Sequence, residues 1–307
     1  MNKNCSKWIE RYRPDHVKDV ILPKKYRKFF DDIVKTREVP NLMLYSDPGK
    51  GKTTIALALI NDLDAQVFKI NASMEGKVEL LREDLSKFAR TKNPKRTPKI
   101  VFLDEFDGCS PQFQAALRNL IEETAANCNY IMTCNFPTKV IDALKEGRTM
   151  EFDFNFNDPV DLADVKAQVL ARACGILKHE VVEFSEEAVK SIVERYGSSI
   201  REIYSMLQKY YKLYGKIDEG ITKFTQVDET LIDLLKAKKI SDARTLINQK
   251  GWSDVDVYRF LFDKYVPTCQ KKGSAILTIA QYEGIGATSR LPDIQLAACL
   301  VSLVGLE

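Results

Sequence analysis

Histidine is nearly absent: His16 and His179 are the only two in 307 residues. Cysteine is present seven times, at positions 5, 109, 128, 134, 174, 269 and 299, but no Cys-x-x-Cys pair occurs. A zinc centre is therefore not expected. An odd, scattered set of thiols fits a reducing compartment. Long hydrophobic runs are missing too. The longest, Ala297 to Leu306, is short and interrupted, so no bilayer-spanning helix is expected. The N-terminus is polar and charged and lacks the apolar stretch of a secretory signal. A cytoplasmic protein without a membrane partner is the expectation. Charge of one sign is not in excess: 46 Lys and Arg face 43 Asp and Glu, a net charge of +3, too small to point to nucleic acid by itself. Internal repeats and low-complexity tracts are also lacking.

What is there is ordinary for a globular chain, 45% hydrophobic and 29% charged, and long enough for two or three domains. One stretch is not ordinary. Ser46-Asp47-Pro48-Gly49-Lys50-Gly51-Lys52-Thr53 lies between the apolar run Leu42–Tyr45 and the helix-forming run Ile55–Ile60. A strand, a Gly-rich turn and a helix start make a phosphate cradle. Gly49 and Gly51 allow a tight turn that aims backbone N–H groups inward. Lys50, Thr54 and the helix N-terminus complete the cradle. Lys52 can reach the outer phosphates, and the Thr53 hydroxyl can ligate Mg²⁺. The usual pattern opens with Gly where this chain has Ser46.

Five short strand-like runs are predicted: Leu42–Tyr45, Val67–Ile70, Ile100–Leu103, Tyr130–Thr133 and roughly Met150–Phe154. Helical patterns separate most of them, which predicts a parallel sheet covered on both faces. Ser110-Pro111 signals a helix start, and Phe113, Ala116, Leu117, Leu120 and Ile121 form its apolar stripe. After Asn157-Asp158-Pro159 the pattern is helical to about Tyr214. A linker is expected from Tyr214 to Thr222, then further helices with breaks at Gly251, Pro267, Gly273 and Leu291-Pro292.

The second strong signal is Ile100-Val101-Phe102-Leu103-Asp104-Glu105. Two carboxylates at the end of a buried strand sit where ligands bind in α/β sheets. Asp104 would hold Mg²⁺, and Glu105 would take a proton from attacking water. The next apolar run ends at Cys134-Asn135, which puts an amide beside the terminal phosphate. ATP and Mg²⁺ are the ligands these residues suggest. A guanine-reading Asn-Lys-x-Asp motif is absent, which disfavours a GTPase. Between Ser86 and Lys99, Lys87, Arg90, Lys92, Lys95, Arg96 and Lys99 occur without an acidic residue. That run suits a solvated loop or one facing a polyanion or a partner.

Together these motifs resemble the clamp-loader branch of the AAA+ ATPases, the replication factor C family, and within it the large ATPase subunits of bacteriophage sliding-clamp loaders. The match is clear over about residues 8 to 210. Trp8-Ile9-Glu10-Arg11-Tyr12-Arg13-Pro14 is similar to the family's Glu-Lys-Tyr-Arg-Pro box. The resemblance implies that Glu10, Arg11, Tyr12 and Ile21 surround the adenine. It implies DNA contacts from Lys77, Arg82 and Lys87, with Lys77 relaying to Glu105. Gln114, Leu117, Arg118 and Glu122 are similar to a helix that couples neighbouring subunits, although Arg118 and Glu122 also suit a local salt pair. Gly147-Arg148-Thr149 stands where the family has Ser-Arg-Cys, which makes Arg148 the candidate arginine finger in a neighbour's site. Gly197-Ser198-Ser199-Ile200-Arg201 is similar to the second sensor, with Arg201 reaching the phosphates.

The expected architecture is thus an α/β P-loop AAA+ domain with a five-stranded parallel sheet (1–156), an all-α lid (157–217) and an all-α collar for oligomerisation (218–307). The resemblance implies a DNA-dependent ATPase that opens a sliding clamp and loads it on primer-template DNA. It implies a pentamer of copies of this chain with one different, small clamp-loader subunit. A non-hydrolysing scaffold subunit and an AAA+ helicase motor are the alternatives.

Overall fold

The computed structural model describes residues 5–72, 84–93, 97–225, 227–250, 252–289 and 291–306. The chain divides into two compact units, one ending at Ile217 and the other beginning at Asp218.

In the first unit, β1 (Leu42–Tyr45), β2 (Gln66–Asn71), β3 (Lys99–Asp104), β4 (Asn129–Cys134) and β5 (Met150–Asp153) form one sheet. Every pairing is parallel, in the order β2-β3-β4-β1-β5. Four consecutive residues, Ile100 to Leu103, are wholly buried in β3, as a strand covered on both faces requires. The register pairs Tyr45 with Cys134 and Asn71 with Asp104. The strand ends therefore line up, and the loops that leave them share one edge.

The helices before and between these strands are α1 (Trp8–Arg11), α2 (Lys24–Thr36), α3 (Lys52–Asp62), α4 (Ser86–Arg90), α5 (Pro111–Thr124) and α6 (Asp142–Lys145). The predicted start of α5 is present. Ser110 Oγ accepts the Phe113 N–H at 3.2 Å, and Pro111 is the first helical residue. Its stripe of Phe113, Leu117, Leu120 and Ile121 packs with Met43, Val101, Tyr130 and Met132. Each such side chain contributes about 1.5–3 kcal/mol on full burial. Elsewhere, Tyr26 and Phe29 of α2 meet Phe152 of β5 with ring centres 5.2 and 4.7 Å apart.

Three further helices follow: α7 (Pro159–His179), α8 (Glu186–Tyr196) and α9 (Ile200–Tyr214). Asp158 caps α7 by accepting the Val160 and Asp161 N–H groups at 2.8 and 3.2 Å. The expected linker after Tyr214 is shorter than predicted. Ile217 is buried and its carbonyl accepts the Ser185 N–H at 2.8 Å, while Gly220–Thr225 is already helical.

The second unit is α-helical: α10 (Gly220–Thr225), α11 (Thr230–Lys236), α12 (Ile240–Lys250), α13 (Asp254–Phe260), α14 (Lys272–Thr288) and α15 (Pro292–Val304). Its core includes Leu231, Leu235, Val257, Leu261, Leu300 and Leu303. Gly273 is no break, since it is the second residue of α14. Pro292 opens α15, where its missing N–H costs no hydrogen bond. Among the described residues, no helix is long and apolar enough to cross a membrane.

Candidate active site

The loops at the aligned strand ends enclose a cavity of about 280 Å³. One wall is the Gly-rich turn. Gly49 and Gly51 have φ of +84° and +97°, a region that L side chains rarely enter. Gly51 immediately precedes α3, so the N-terminus of that helix opens on the cavity. Close approach adds a second demand on Gly49. A Cβ there would stand 2.9 Å from Arg201 Cβ. The Gly49 carbonyl also accepts the Arg201 N–H at 3.3 Å. The start of α9 thus rests directly on the turn.

Lys52 is buried at the centre. Its Nζ donates to Ser46 O at 2.7 Å, Asp47 O at 3.0 Å, Ser46 Oγ at 3.0 Å and Asn135 Oδ1 at 2.9 Å. Burial lowers its pKa to about 8, with Cys134, Asp107 and Asp47 opposing the shift and Arg201 adding to it. The hydroxyl of Ser46 is therefore a partner of the lysine, a role that Gly at this position cannot supply.

Opposite Lys52 stands the acidic edge. Thr53 Oγ1 donates to Asp104 Oδ1 at 2.9 Å, and Thr133 Oγ1 donates to the same oxygen. Thr133 Oγ1 also accepts the Glu105 N–H at 3.2 Å. Glu105 is left-handed, with φ +56°. Asp107 accepts the N–H groups of Asn135 and Phe136, each at 3.2 Å, and so ties the exits of β3 and β4 together. Thr53 and Asp104 offer a hydroxyl and a carboxylate at the cavity wall. These hard oxygen donors suit Mg²⁺, which takes few protein ligands when phosphates and water complete its shell. Among the described residues, no cluster of three or more His, Cys, Asp or Glu makes a separate metal site.

Several predicted residues line this one cavity: Tyr12, Ile21, Gly49, Gly51, Lys52, Thr53, Thr54, Asp104, Glu105, Asn135 and Arg201. Others do not. Glu10 pairs with Arg13 at 2.9 Å, and Arg11 with Glu180 at 2.6 Å. On the four-residue α1 they turn away from the wall, which Ile9, Tyr12, Arg13 and Pro14 supply instead. Tyr12 Oη bonds Glu180 and meets His179 Nδ1 at 2.7 Å, which anchors the arm to the end of α7. The side chain of Lys50 is held by Asp47 at 2.9 Å and Asn155 at 2.8 Å.

Gln114 is 1% exposed, so its side chain turns into the protein and not to solvent. Its amide donates to Lys139 O at 3.0 Å and accepts the Ile141 N–H at 2.9 Å, bracing the segment that follows Asn135. Arg148 lies outside the cavity, with Nε 2.8 Å from Glu122 Oε1 and Nη1 donating to Ala143 O at 2.8 Å. Arg118 reaches the same Glu122 oxygen at 3.8 Å. Lys77 and Arg82 lie outside the described residues. Lys87 is exposed on α4. Lys99, counted above in a basic loop, is buried in β3; its Nζ donates to Thr91 Oγ1 at 2.8 Å and lies 4.4 Å from the Phe88 ring centre. Arg90 is paired with Glu123 at 2.7 Å. Within the described residues the basic run is thus partly strand and partly neutralised, while Lys95 and Arg96 lie outside them.

Sequence reasoning missed Arg13, Lys69, Thr133, Arg172 and Tyr204 on the cavity wall. With Lys52 and Arg201, three of these, Arg13, Lys69 and Arg172, give five cationic side chains on one cavity wall. That excess suits a polyphosphate.

A P-loop, a strand-end acid pair and a polar strand end under a helical lid define an ATPase of the AAA class. The family model for AAA, the ATPase family associated with various cellular activities, matches residues 42–158. A replication factor C small subunit from Aeropyrum pernix is 33% identical over 269 residues, 82% of this chain and 80% of that protein. The sliding-clamp-loader large subunit of Escherichia phage RB69 is 29% identical over 284 residues, 90% of this chain and 87% of that protein. The chain belongs to the clamp-loader family of replication factor C. The Thermotoga maritima RuvB Holliday junction branch migration motor shares the fold, with a TM-score of 0.55 at 15% identity over 78% of this chain and 86% of that one.

Proposed function

We propose that this chain is the ATP-hydrolysing subunit of a clamp loader, which opens a ring-shaped sliding clamp and places it on primer-template DNA. The observation that carries this reading is the meeting of Lys52, Thr53, Asp104, Glu105 and Asn135 on one cationic cavity roofed by α9. Similarity to sliding-clamp-loader and replication factor C subunits supports a sliding clamp as partner, and primer-template DNA is proposed with it.

The triphosphate lies along the backbone N–H groups from Gly49 to Thr54. Lys52 exchanges its carbonyl partners for phosphate oxygens, and Arg201 joins from the lid. Thr53 and Asp104 would hold Mg²⁺, which would shield phosphate charge. Glu105 takes a proton from a water that attacks the terminal phosphorus, the bridging P–O bond breaks, and ADP and phosphate leave. Asn135 orients the water. Arg148 completes the site of the next subunit after leaving Glu122, and stabilises charge on the leaving phosphate. A finger that acts in trans needs several copies, so a pentamer with one different, small subunit fits. The second unit is the oligomerising collar. Lys77, Arg82 and Lys87 contact DNA phosphates without reading sequence. The protein works in the cytoplasm.

The test is ATP turnover by the assembled complex with and without cognate clamp and primed DNA. Turnover that rises severalfold only when both are present supports the reading. Turnover indifferent to both refutes clamp loading while leaving an ATPase.

A further inference from the structure

Thr133 sits in β4, two residues before Asn135, in an apolar run that gives no sign of chemistry. The backbone ladder between β3 and β4 runs from Ile100 with Asn129 to Leu103 with Met132 and ends there. Beyond that point, the Thr133 side chain takes over the pairing. A hydroxyl has one proton to give and lone pairs to receive. Here the proton goes to Asp104 Oδ1, and a lone pair accepts the Glu105 N–H at 3.2 Å. Two consecutive acidic residues are thus held by one atom. Thr133 is 2% exposed, so its hydroxyl is largely sheltered from bulk water.

Glu105 has φ +56°, a conformation unfavourable for a residue with a Cβ. Strain of this kind persists only where the surroundings enforce it. The Thr133 hydroxyl is a restraint on the backbone at that point. The same hydroxyl shares Asp104 Oδ1 with Thr53, which donates at 2.9 Å from the phosphate-binding turn. Thr53 of α3, Asp104 at the end of β3, Thr133 of β4 and Glu105 in the turn after β3 therefore form one connected chain of hydrogen bonds.

We propose that Thr133 is a positioning residue for ATP cleavage: its hydroxyl fixes the Asp104 carboxylate and the left-handed turn that presents Glu105 to the attacking water. It acts through Asp104 and Glu105 and not as metal ligand or base. This inference rests on the reading of Asp104 and Glu105 as metal ligand and base.

The consequences separate binding from turnover. Thr133→Val keeps the shape and loses both bonds; Thr133→Ser keeps both. In the assembled complex with clamp and primed DNA, Thr133→Val lowers kcat at least tenfold. Its affinity for ATP, measured with a fluorescent nucleotide, stays within threefold at saturating Mg²⁺. The Mg²⁺ concentration needed for half-maximal nucleotide binding rises severalfold, because Asp104 is no longer held. Thr133→Ser recovers most of the turnover. Thr133→Ala replaces the valine variant if the latter does not fold. Wild-type kcat and Mg²⁺ dependence in a folded valine or alanine variant overturn the inference. Equal losses of kcat and ATP affinity in the serine and valine variants also overturn it, because they indicate a packing role. Glu105→Gln is the control. If it retains turnover, the underlying reading fails; if it is inactive while Thr133→Val is normal, only the inference fails.

Discussion

The buried lysine makes ATP affinity depend on pH in a calculable way. Lys52 has its pKa lowered from 10.5 to about 8, chiefly by burial. A bound triphosphate brings negative charge to the ammonium and restores a high value, so ATP selects the protonated form. With the free site titrating near 8, about nine-tenths of molecules are protonated at pH 7 and about one-tenth at pH 9. ATP affinity should therefore fall about tenfold between pH 7 and pH 9, or about 1.4 kcal/mol. Binding at pH 8 should take up about half a proton. Cys134 and Tyr12 are both pushed up to about 12 and do not interfere in this window. Stability without nucleotide runs the other way. A lysine with a lowered pKa carries its full burial cost below pH 8, and the cost is relieved as pH rises toward 10.5. Stability should thus climb over the range in which affinity falls. Calorimetry in two buffers of different ionisation enthalpy measures both affinity and proton uptake. A flat affinity from pH 7 to 9 with no proton exchange would refute the reasoning.

Three other substitutions have defined outcomes. Gly49→Ala places a Cβ 2.9 Å from Arg201 Cβ at φ +84°. It should cost about 1–3 kcal/mol in denaturant unfolding and weaken ATP binding more than tenfold, and wild-type values in both would contradict the contact. Val181 is 89% exposed with φ +56°, so Val181→Gly should stabilise the protein by about 1 kcal/mol without changing ATP affinity; a drop in unfolding midpoint would be the wrong sign. Arg148→Ala in a mixed assembly should bind ATP normally yet slow turnover up to about a thousandfold in neighbouring sites; undiminished turnover removes it as the finger.

Much of the fold was legible because its signals are local. Ser110-Pro111 and Asp158-Pro159 mark helix starts through hydrogen bonds made within three residues. Apolar runs mark the central strands β1, β3 and β4, while the edge strands β2 and β5 carry polar residues among their apolar ones. The site was legible where motif and backbone coincide, as at Gly49, Gly51 and Lys52. It was obscure where a residue's role depends on what a distant segment brings to it. Thr133 reads as one more strand residue until Asp104 and Glu105 stand beside it. Arg172 and Tyr204 lie on amphipathic helices whose period reveals a buried face but not that it borders a cavity. Lys99 was misread for the converse reason: its charge suggested surface, while Thr91 and Phe88 shelter it. Gln114 fits a coupling motif in sequence, yet the loop after Asn135 claims its amide.

Cleavage of ATP by the groups assembled around Lys52 and Glu105 is the claim on which everything else depends. The most direct measurement compares ATP binding and single-turnover hydrolysis for the wild-type complex and one carrying Glu105→Gln in every copy. The expected result is unchanged affinity with hydrolysis slowed at least a hundredfold, on the order of 3 kcal/mol of barrier. Hydrolysis at the wild-type rate in that variant, or a wild-type complex without affinity for magnesium–ATP, would contradict the account.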